Sequence, residues 1–391
     1  MRQTNTERLN PHVVSIPASQ REAVLSAMKG KDSLANLASG NPEMAMPPSV
    51  ISRMQAYLQE GYASYSTYYG FDALRDGITA KMKNDWSVAV HSRDELIVTS
   101  GVQEGLYIVM RTILQPDDEV IIPSPHYGTY YQNTLACGAK PALVPLKESE
   151  GFLPDPERMA AAVTPKSRAI VFCNPNNPLG VVWPQESLEA VAEVALKHDL
   201  LVLVDEIYRD YTDVPPVSVA ALPEMGSRTF SFGGFSKSHI MMGLRIGFVA
   251  GPAAPMVQVK KMHYCVALCP SVLGQIAAQA ALDCPEEELA AVRDHFKDKL
   301  EFLYEGVARL PGVSCVAPGG GFYIFPNFSA IETDSMALAI RLIEEAGVVT
   351  LPGSEFGRLG QGYLRLSVCA VETDVREGLH RLEKFVAARK R

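Results

Sequence analysis

The sequence lacks the features that would place it outside the ordinary globular proteins. Only 20% of its 391 residues are charged and 47% are hydrophobic. No low-complexity block stands out, which argues against a disordered chain. No apolar run reaches membrane length, and segment 1–10 is polar, without the apolar core of a signal peptide. These absences predict a soluble, cytoplasmic protein with no membrane partner.

Paired cysteines and clustered basic residues are also missing. The seven cysteines are scattered without a Cys-x-x-Cys pair, which argues against a disulfide framework. Cys265 and Cys269 lie close together, but no complementary His or Cys pair follows, so no metal site is expected. The net charge is -8, and the 36 basic residues form no continuous stripe. We therefore expect no nucleic-acid partner.

The chain length and its apolar pattern indicate an α/β protein with two closely packed domains. From about residue 95, short runs rich in Val and Ile alternate with longer amphipathic stretches, which is typical of parallel strands joined by crossover helices. Because these runs are apolar on both faces, helices should cover both sides of the sheet. The predicted strands are residues 95–99, 119–123, 169–172, 200–204, 229–232 and 247–250.

The pattern changes after residue 274. Long charged helices are predicted at 286–310 and 335–346, with short strands around 321–325, 348–351 and 363–367. This part of the chain should form a smaller α+β layer. The predicted fold class is therefore α/β, with a mostly parallel central sheet covered by helices in a large domain and a smaller α+β domain beside it.

Three charged residues are candidates for a role in chemistry or ligand binding. Asp205 ends an apolar run at 200–204, and ligands of open α/β sheets bind at the carboxyl ends of strands. A helix-capping role is the alternative for this acid. Lys237 lies in the apolar, Gly-rich stretch 229–248, where desolvation would make its amine a nucleophile suited to Schiff-base chemistry. Arg245, eight residues later, is a candidate anion clamp.

Residues 236–247 contain Ser-Lys, an Arg eight residues after the Lys, and Gly-x-Arg-Ile-Gly. This pattern resembles the cofactor-lysine motif of the class I and II aminotransferases, which are fold type I pyridoxal 5'-phosphate enzymes related to aspartate aminotransferase. The resemblance runs from about residue 37 to the C-terminus. It implies pyridoxal 5'-phosphate as cofactor, an internal aldimine on Lys237, and Arg245 on the phosphate. It also suggests a large cofactor-binding domain at 46–285 and a small domain made of 1–45 and 286–391.

The cofactor phosphate has further candidate ligands. Residues 99–104 follow a predicted strand and open a helix, so the amides of Gly101, Val102 and Gln103 can point at a phosphate. Gly234 occupies the position where many family members have a phosphate-binding Ser. We therefore expect Ser236 and backbone amides to take a larger share of that contact.

The resemblance also implies contacts to the cofactor ring. Tyr127 matches the aromatic residue that stacks on the ring, and the alternative for it is ordinary core packing. Residues 174–180, Asn-Pro-Asn-Asn-Pro-Leu-Gly, resemble the turn from which Asn177 binds the phenolic oxygen. Tyr208 would share that oxygen, and Asp205 would stabilise the protonated ring nitrogen. The bond before Pro178 is a candidate cis peptide.

Substrate contacts follow from the same resemblance. Arg365, in Gly-Tyr-Leu-Arg-Leu-Ser, matches the arginine that grips the substrate α-carboxylate. Asn177 belongs to the same substrate site, and Gly40 matches a glycine whose backbone approaches the substrate. Tyr65 matches the tyrosine that reaches the phosphate of a neighbouring subunit. This implies a homodimer with shared active sites.

These residues predict transfer of an amino group from an L-amino acid to a 2-oxo acid by a ping-pong mechanism. One alternative is a carbon-sulfur β-lyase on the same scaffold, which Trp183 and Gly243-Leu244 slightly favour. Leu179 and Leu244 replace the usual Thr and Trp of the family, and this weakens any assignment to a subfamily. A second alternative is a cofactor-binding regulator of transcription. With only about 36 residues before the resemblance begins and no basic stripe, that reading is disfavoured.

Overall fold

A mixed seven-stranded sheet lies at the centre of the protein. The computed structural model describes residues 8–61, 64–213 and 216–389. The strands of this part of the chain are β1 (Ala35–Asn36), β2 (Leu96–Thr99), β3 (Glu119–Ser124), β4 (Lys140–Pro145), β5 (Ser167–Cys173), β6 (Leu201–Asp205), β7 (Thr229–Gly234), β8 (Gly247–Ala250), β9 (Tyr323–Ile324), β10 (Val348–Val349), β11 (Leu351–Pro352) and β12 (Leu364–Ser367). The large sheet has the order β2-β8-β7-β6-β5-β3-β4.

The predicted, mostly parallel character of this sheet is confirmed. Strands β3 to β7 pair in parallel, whereas β8 is antiparallel to both β7 and β2. All six predicted strands are present, with ends that differ by at most two residues. Strand β4 was not predicted from the sequence. It begins Lys140-Pro141, ends at Pro145 and pairs only with β3 at the edge of the sheet, the position in which strands tolerate proline.

Helices cover both faces of the sheet, as predicted. The helices are α1 (Pro11–Val14), α2 (Arg21–Met28), α3 (Pro48–Glu60), α4 (Asp72–Asp85), α5 (Val102–Ile113), α6 (Gly128–Ala136), α7 (Pro156–Ala161), α8 (Gln185–Lys197), α9 (Ala253–Ala267), α10 (Val272–Leu282), α11 (Glu286–Ala308), α12 (Ser335–Arg341) and α13 (Glu372–Ala387). Successive residues of β5 pack on opposite sides. Val171 joins a core cluster with Leu106 of α5, whereas Ile170 joins a second cluster with Leu188 of α8.

An N-terminal and a C-terminal segment of the chain meet in a smaller layer. Strand β1 pairs in parallel with β10, and β11, β12 and β9 form a three-stranded antiparallel sheet. The predicted helix at 286–310 is α11, and the one at 335–346 is α12 continued by a π-helical turn at Leu342–Ala346. None of the helices in the described ranges is both long and apolar enough to cross a membrane.

The strand order brings the predicted functional residues together at one edge of the sheet, the edge formed by the carboxyl ends of the parallel strands. The chain passes from β3 to β4 on one side and returns to β5 on the other, which opens a crevice at the carboxyl ends of the strands. The segments that follow β3, β5 and β7 carry Tyr127, Asn177 and Lys237, and β6 ends at Asp205. Four distant parts of the sequence therefore converge on the same edge.

Candidate active site

A cavity of about 510 Å³ opens at this edge, between the sheet, α2 and the small layer. Eleven of the thirteen predicted site residues line it: Gly40, Val102, Gln103, Tyr127, Asn177, Asp205, Tyr208, Ser236, Lys237, Arg245 and Arg365. The two that do not line it are Gly101, which lies directly behind Arg245, and Tyr65, which is 81% exposed.

The N-terminus of α5 and Arg245 form a cradle for an anion. Gly101 has φ 82°, and a Cβ added there would lie 2.5 Å from Nη2 of Arg245, so only glycine fits the position. Arg245 is held by its Nη1, which donates to the carbonyl of Met242 at 2.9 Å. The first amides of α5 have no partner within the helix. Helix amides beside a guanidinium make a site for a phosphate or another anion.

Asp205 is a buried carboxylate without a cationic partner in the described part of the chain. Its Oδ1 accepts from the amide of Ile207 at 3.1 Å, and its Oδ2 accepts from the hydroxyl of Tyr130 at 3.2 Å. Burial raises the pKa of Asp205 to about 6 despite these two hydrogen bonds. No cation in the described ranges forms an ion pair with this carboxylate, so the site favours a ligand that brings a positive charge.

The amine of Lys237 lies in the same cavity. Its Nζ donates to the carbonyl of Gly40 at 2.7 Å, and the hydroxyl of Tyr211 donates to the backbone carbonyl of Lys237 at 2.7 Å. Burial lowers the pKa of Lys237 to about 8, because the charged form loses hydration. A large part of the amine is consequently neutral near pH 8, and a neutral amine is a nucleophile and a base.

Arg365 also lines the cavity and is fully buried at 1% exposure. Its Nη1 donates to Oδ1 of Asn177 at 3.2 Å, and its Nη2 donates to the carbonyl of Ala38 at 2.8 Å. The guanidinium stacks on the ring of Tyr323 at 4.1 Å, and its buried Nε has no hydrogen-bond partner in the described ranges. A buried guanidinium with spare donors can bind a carboxylate bidentately.

The remaining predicted residues connect these groups. Nδ2 of Asn177 lies 3.5 Å from the hydroxyl of Tyr208, and the peptide bond after Asn177 is cis, as predicted. The hydroxyl of Tyr127 lies 3.5 Å from Oε1 of Gln103, at the side of the cavity nearest α5. A Cβ at Gly234 would lie 2.9 Å from the Cα of Gly247, so close packing of β7 on β8 requires glycine at that position.

Three contributors to the site were missed by the sequence analysis. Tyr130 follows Tyr127 by three residues, a spacing that places both rings on one side of α6, and this signal could have found it. Tyr323 bonds the hydroxyl of Tyr208 at 3.2 Å, and its own hydroxyl lies 2.7 Å from where a Cβ of Gly40 would be. Helix α2 forms one wall, and nothing in its sequence indicates that it faces a cavity.

Comparison with known proteins identifies the family. Residues 32–382 match the family described as "Aminotransferase class I and II". The chain is 34% identical over 380 residues to the probable N-acetyl-LL-diaminopimelate aminotransferase of Bacillus subtilis, covering 97% of this chain and 95% of that protein. It is 32% identical over 397 residues to an aspartate aminotransferase of Geobacillus stearothermophilus, covering 98% and 100%.

A solved structure gives the same result. A single mutant of the aspartate aminotransferase of Thermus thermophilus matches with a TM-score of 0.91 at 31% identity, over 98% of this chain and 100% of that one. The resemblance expected from the motifs around Lys237 is thereby confirmed, together with the fold type. This chain belongs to the class I and II aminotransferases.

Proposed function

We propose that this protein is a pyridoxal 5'-phosphate-dependent aminotransferase that moves the amino group of an L-amino acid to a 2-oxo acid. One juxtaposition carries the proposal: the amine of Lys237, the carboxylate of Asp205 and the guanidinium of Arg365 line a single cavity of about 510 Å³. Transamination on this cofactor requires an amine that can bind an aldehyde, an acid for a cationic ring nitrogen and a clamp for the substrate carboxylate.

The residues of the cavity fit this cofactor. The cradle of Gly101 and Arg245 fits a phosphate, with the amides of Val102 and Gln103 and the hydroxyl of Ser236 as further donors. Asp205 has a raised pKa because it is buried without a cation, and a protonated ring nitrogen would supply one. When bound, pyridoxal 5'-phosphate supplies an aldehyde for amino groups and a ring that accepts the electron pair of the substrate Cα–H bond.

The side chains of the cavity have separate roles in binding and proton transfer. Lys237 would hold the cofactor through its amine and, once free, would accept a proton from the substrate Cα on its Nζ. Arg365 binds the substrate α-carboxylate and thereby fixes the Cα near Nζ of Lys237. Asn177 and Tyr208 would hold the phenolic oxygen of the cofactor, Tyr127 would contact its ring, and Asp205 would favour a protonated ring nitrogen.

A homodimer with shared active sites and a two-domain chain belong to the proposal. Tyr65 is 81% exposed, and Tyr68, three residues later, is also exposed and packs edge to face on the exposed Tyr264. Exposed aromatic residues are typical of a protein interface, and a second subunit could receive Tyr65. The pairing of β1 with β10 supports a small domain built from residues 1–45 and 286–391 beside a large domain at 46–285.

Transamination without an acceptor should stop after one half-reaction. We expect the holoenzyme, mixed with a donor amino acid alone, to lose its visible absorbance and release one equivalent of 2-oxo acid per active site. A 2-oxo acid should restore the absorbance, and double-reciprocal plots at several acceptor concentrations should be parallel. Stopped-flow absorbance and an oxo-acid assay measure this, with borohydride-reduced enzyme as the control.

Two results would contradict the proposal. Intersecting double-reciprocal lines would be incompatible with an amino group stored on the enzyme between half-reactions. Continuous release of pyruvate and thiol from cystathionine without any acceptor would identify the chain as a carbon-sulfur β-lyase.

Removal of the Tyr130 hydroxyl should shift the acid side of the pH profile. The hydrogen bond from Tyr130 favours the ionised form of Asp205, so Tyr130→Phe should raise the pKa of that carboxyl. One such bond contributes about 0.5–1.5 kcal/mol, so the acid limb of kcat/KM should move up by about 0.5–1 pH unit. The neighbouring Tyr131→Phe is the matched control, since Tyr131 stacks on His126 instead. Equal profiles for both variants would rule out this role.

A further inference from the structure

Helix α2 presents a mixed surface to the cavity. Val24, Leu25 and Met28 supply an apolar wall, and Arg21 at the start of the helix is the one charged residue of α2 that lines the cavity. Among the described residues, the other cationic residues that line the cavity are Lys237, Arg245 and Arg365, and all three already have roles in the proposed function. The guanidinium of Arg21 is thus a cation without a function in that scheme.

Arg21 is weakly held in the free protein. Its Nε lies 3.8 Å from Oε1 of Glu355, and its side chain is 47% exposed. No closer partner of this guanidinium occurs in the described ranges. Both oxygens of Glu355 are already engaged, because Oε1 accepts from the hydroxyl of Ser19 and Oε2 from the amide of Gln20, each at 2.7 Å. Glu355 therefore anchors α2 and leaves the donors of Arg21 largely free.

The positive charge of Arg21 acts on the pKa values of two other residues that line the cavity. Burial is the main cause that lowers the pKa of Lys237 to about 8, and the positive charge of Arg21 acts in the same direction. Burial also lowers the pKa of Arg365, and Arg21 again contributes to the shift. Arg21 lines the same cavity as Lys237 and Arg365, so its guanidinium can reach a substrate bound there.

We propose that Arg21 binds the side-chain carboxylate of a dicarboxylic substrate, an acidic amino acid or the corresponding 2-oxo acid. This inference rests on the proposed function, since Arg365 must hold the α-carboxylate for a second carboxylate to point toward α2. The methylene groups of the substrate then pack on Val24 and Met28, and the loose contact with Glu355 gives way to a bidentate pair. Arg21 is accordingly the residue that sets preference for an acidic side chain.

Binding of nonreactive acids to the holoenzyme tests the proposal directly. Succinate and butyrate have the same carbon chain and differ by one carboxylate. Because a hydrogen bond to a charged group contributes about 1.5–3 kcal/mol, Arg21→Gln should weaken succinate about 10- to 100-fold and leave butyrate within about 3-fold. Arg21→Lys should lose less, since it keeps the charge without the planar fork. Isothermal titration calorimetry measures both dissociation constants.

Arg358→Gln is the matched control. Arg358 is exposed in the turn that follows Glu355, and its substitution removes the same charge without touching the cavity wall. This variant should bind both acids as the wild type does. Equal losses of succinate and butyrate in Arg21→Gln would show that Arg21 only positions α2, and unchanged binding would show that it meets no ligand. Either outcome overturns the inference.

Kinetics separate this inference from the proposed function. The ratio of kcat/KM for glutamate to that for glutamine should fall about 10- to 100-fold in Arg21→Gln, because only the charge of the side chain differs between the two donors. If the wild type transaminates neutral donors and this ratio does not change, the role of Arg21 fails and the proposed function stands. If no amino donor reacts with the wild type, the proposed function fails, regardless of how tightly succinate and butyrate bind.

Discussion

Replacement of Lys237 by alanine is expected to lower kcat by at least about 10⁴-fold, because one amine provides both covalent binding of the cofactor and proton transfer at the substrate Cα. The environment of Lys237 supports this expectation. Burial lowers its pKa to about 8, so the amine is readily neutral, and its Nζ is held by the carbonyl of Gly40 at 2.7 Å. No other lysine lines the cavity within the described part of the chain.

The measurement combines activity with peptide mapping. Borohydride reduction of the wild-type holoenzyme should fix the cofactor on the peptide that contains Lys237, and Lys237→Ala should give no such adduct. Small amines such as methylamine should restore part of the activity of the variant, because they can fill the space left by the side chain. Lys260→Ala is the control, since Lys260 contacts the backbone of Asp94 at 3.2 Å, outside the cavity.

Loss of activity must be separated from loss of fold. Lys237 makes one hydrogen bond through its side chain, so the cofactor-free variant should retain the circular dichroism spectrum and nearly the melting temperature of the cofactor-free wild type. An active Lys237→Ala protein, or an adduct on another lysine, would contradict the assignment. Restoration by methylamine would exclude a merely structural role.

Residues whose role follows from their local sequence context were predictable from the sequence. Lys237 is conspicuous because a charge in an apolar, Gly-rich stretch is costly unless it is used. Asp205 is conspicuous because it ends a buried strand, and the strand order places that end at the crevice. Both assignments depend on local patterns together with the general geometry of parallel sheets. The structure brings both side chains into one cavity.

Residues that act through tertiary packing were not predictable. Tyr323 reaches the cavity because β9 pairs with β12 in the small layer, a contact between segments that no local pattern connects. Arg21 faces the cavity because Glu355, more than 300 residues away in the chain, anchors the start of α2. Strand β4 escaped prediction because its prolines obscure the strand pattern. Long-range contacts of this kind require the fold before they can be recognised.

Substitution of Asp205 by asparagine should have opposite effects on activity and on stability. The amide cannot supply the negative charge opposite a protonated ring nitrogen, and loss of one partner of a buried ion pair costs about 3–5 kcal/mol. If this cost falls on the transition state, kcat should drop by about 10²- to 5 × 10³-fold. The exposed Asp294→Asn in α11 is the control and should change neither property.

The cofactor-free protein should instead become more stable. Burial raises the pKa of Asp205 from 3.8 to about 6, so folding disfavours the ionised carboxyl. This cost is absent where both the folded and unfolded chains are protonated, grows as the pH rises through the two pKa values, and is complete above about pH 6, where it reaches about 3 kcal/mol. Asp205→Asn should therefore raise the free energy of unfolding by about 1–3 kcal/mol at pH 8 and by roughly half as much at pH 5.

Urea unfolding of the cofactor-free wild type and variant at the two pH values measures this difference. Saturating cofactor should reverse the order, because a ligand that binds the native state more tightly in the wild type stabilises it more. A variant that is no more stable than the wild type at pH 8 would mean that the carboxylate is not costly in the folded protein. A buried carboxylate that destabilises the empty site is retained because of its role when the site is filled. Without that destabilisation, the raised pKa of Asp205 would not indicate a functional role.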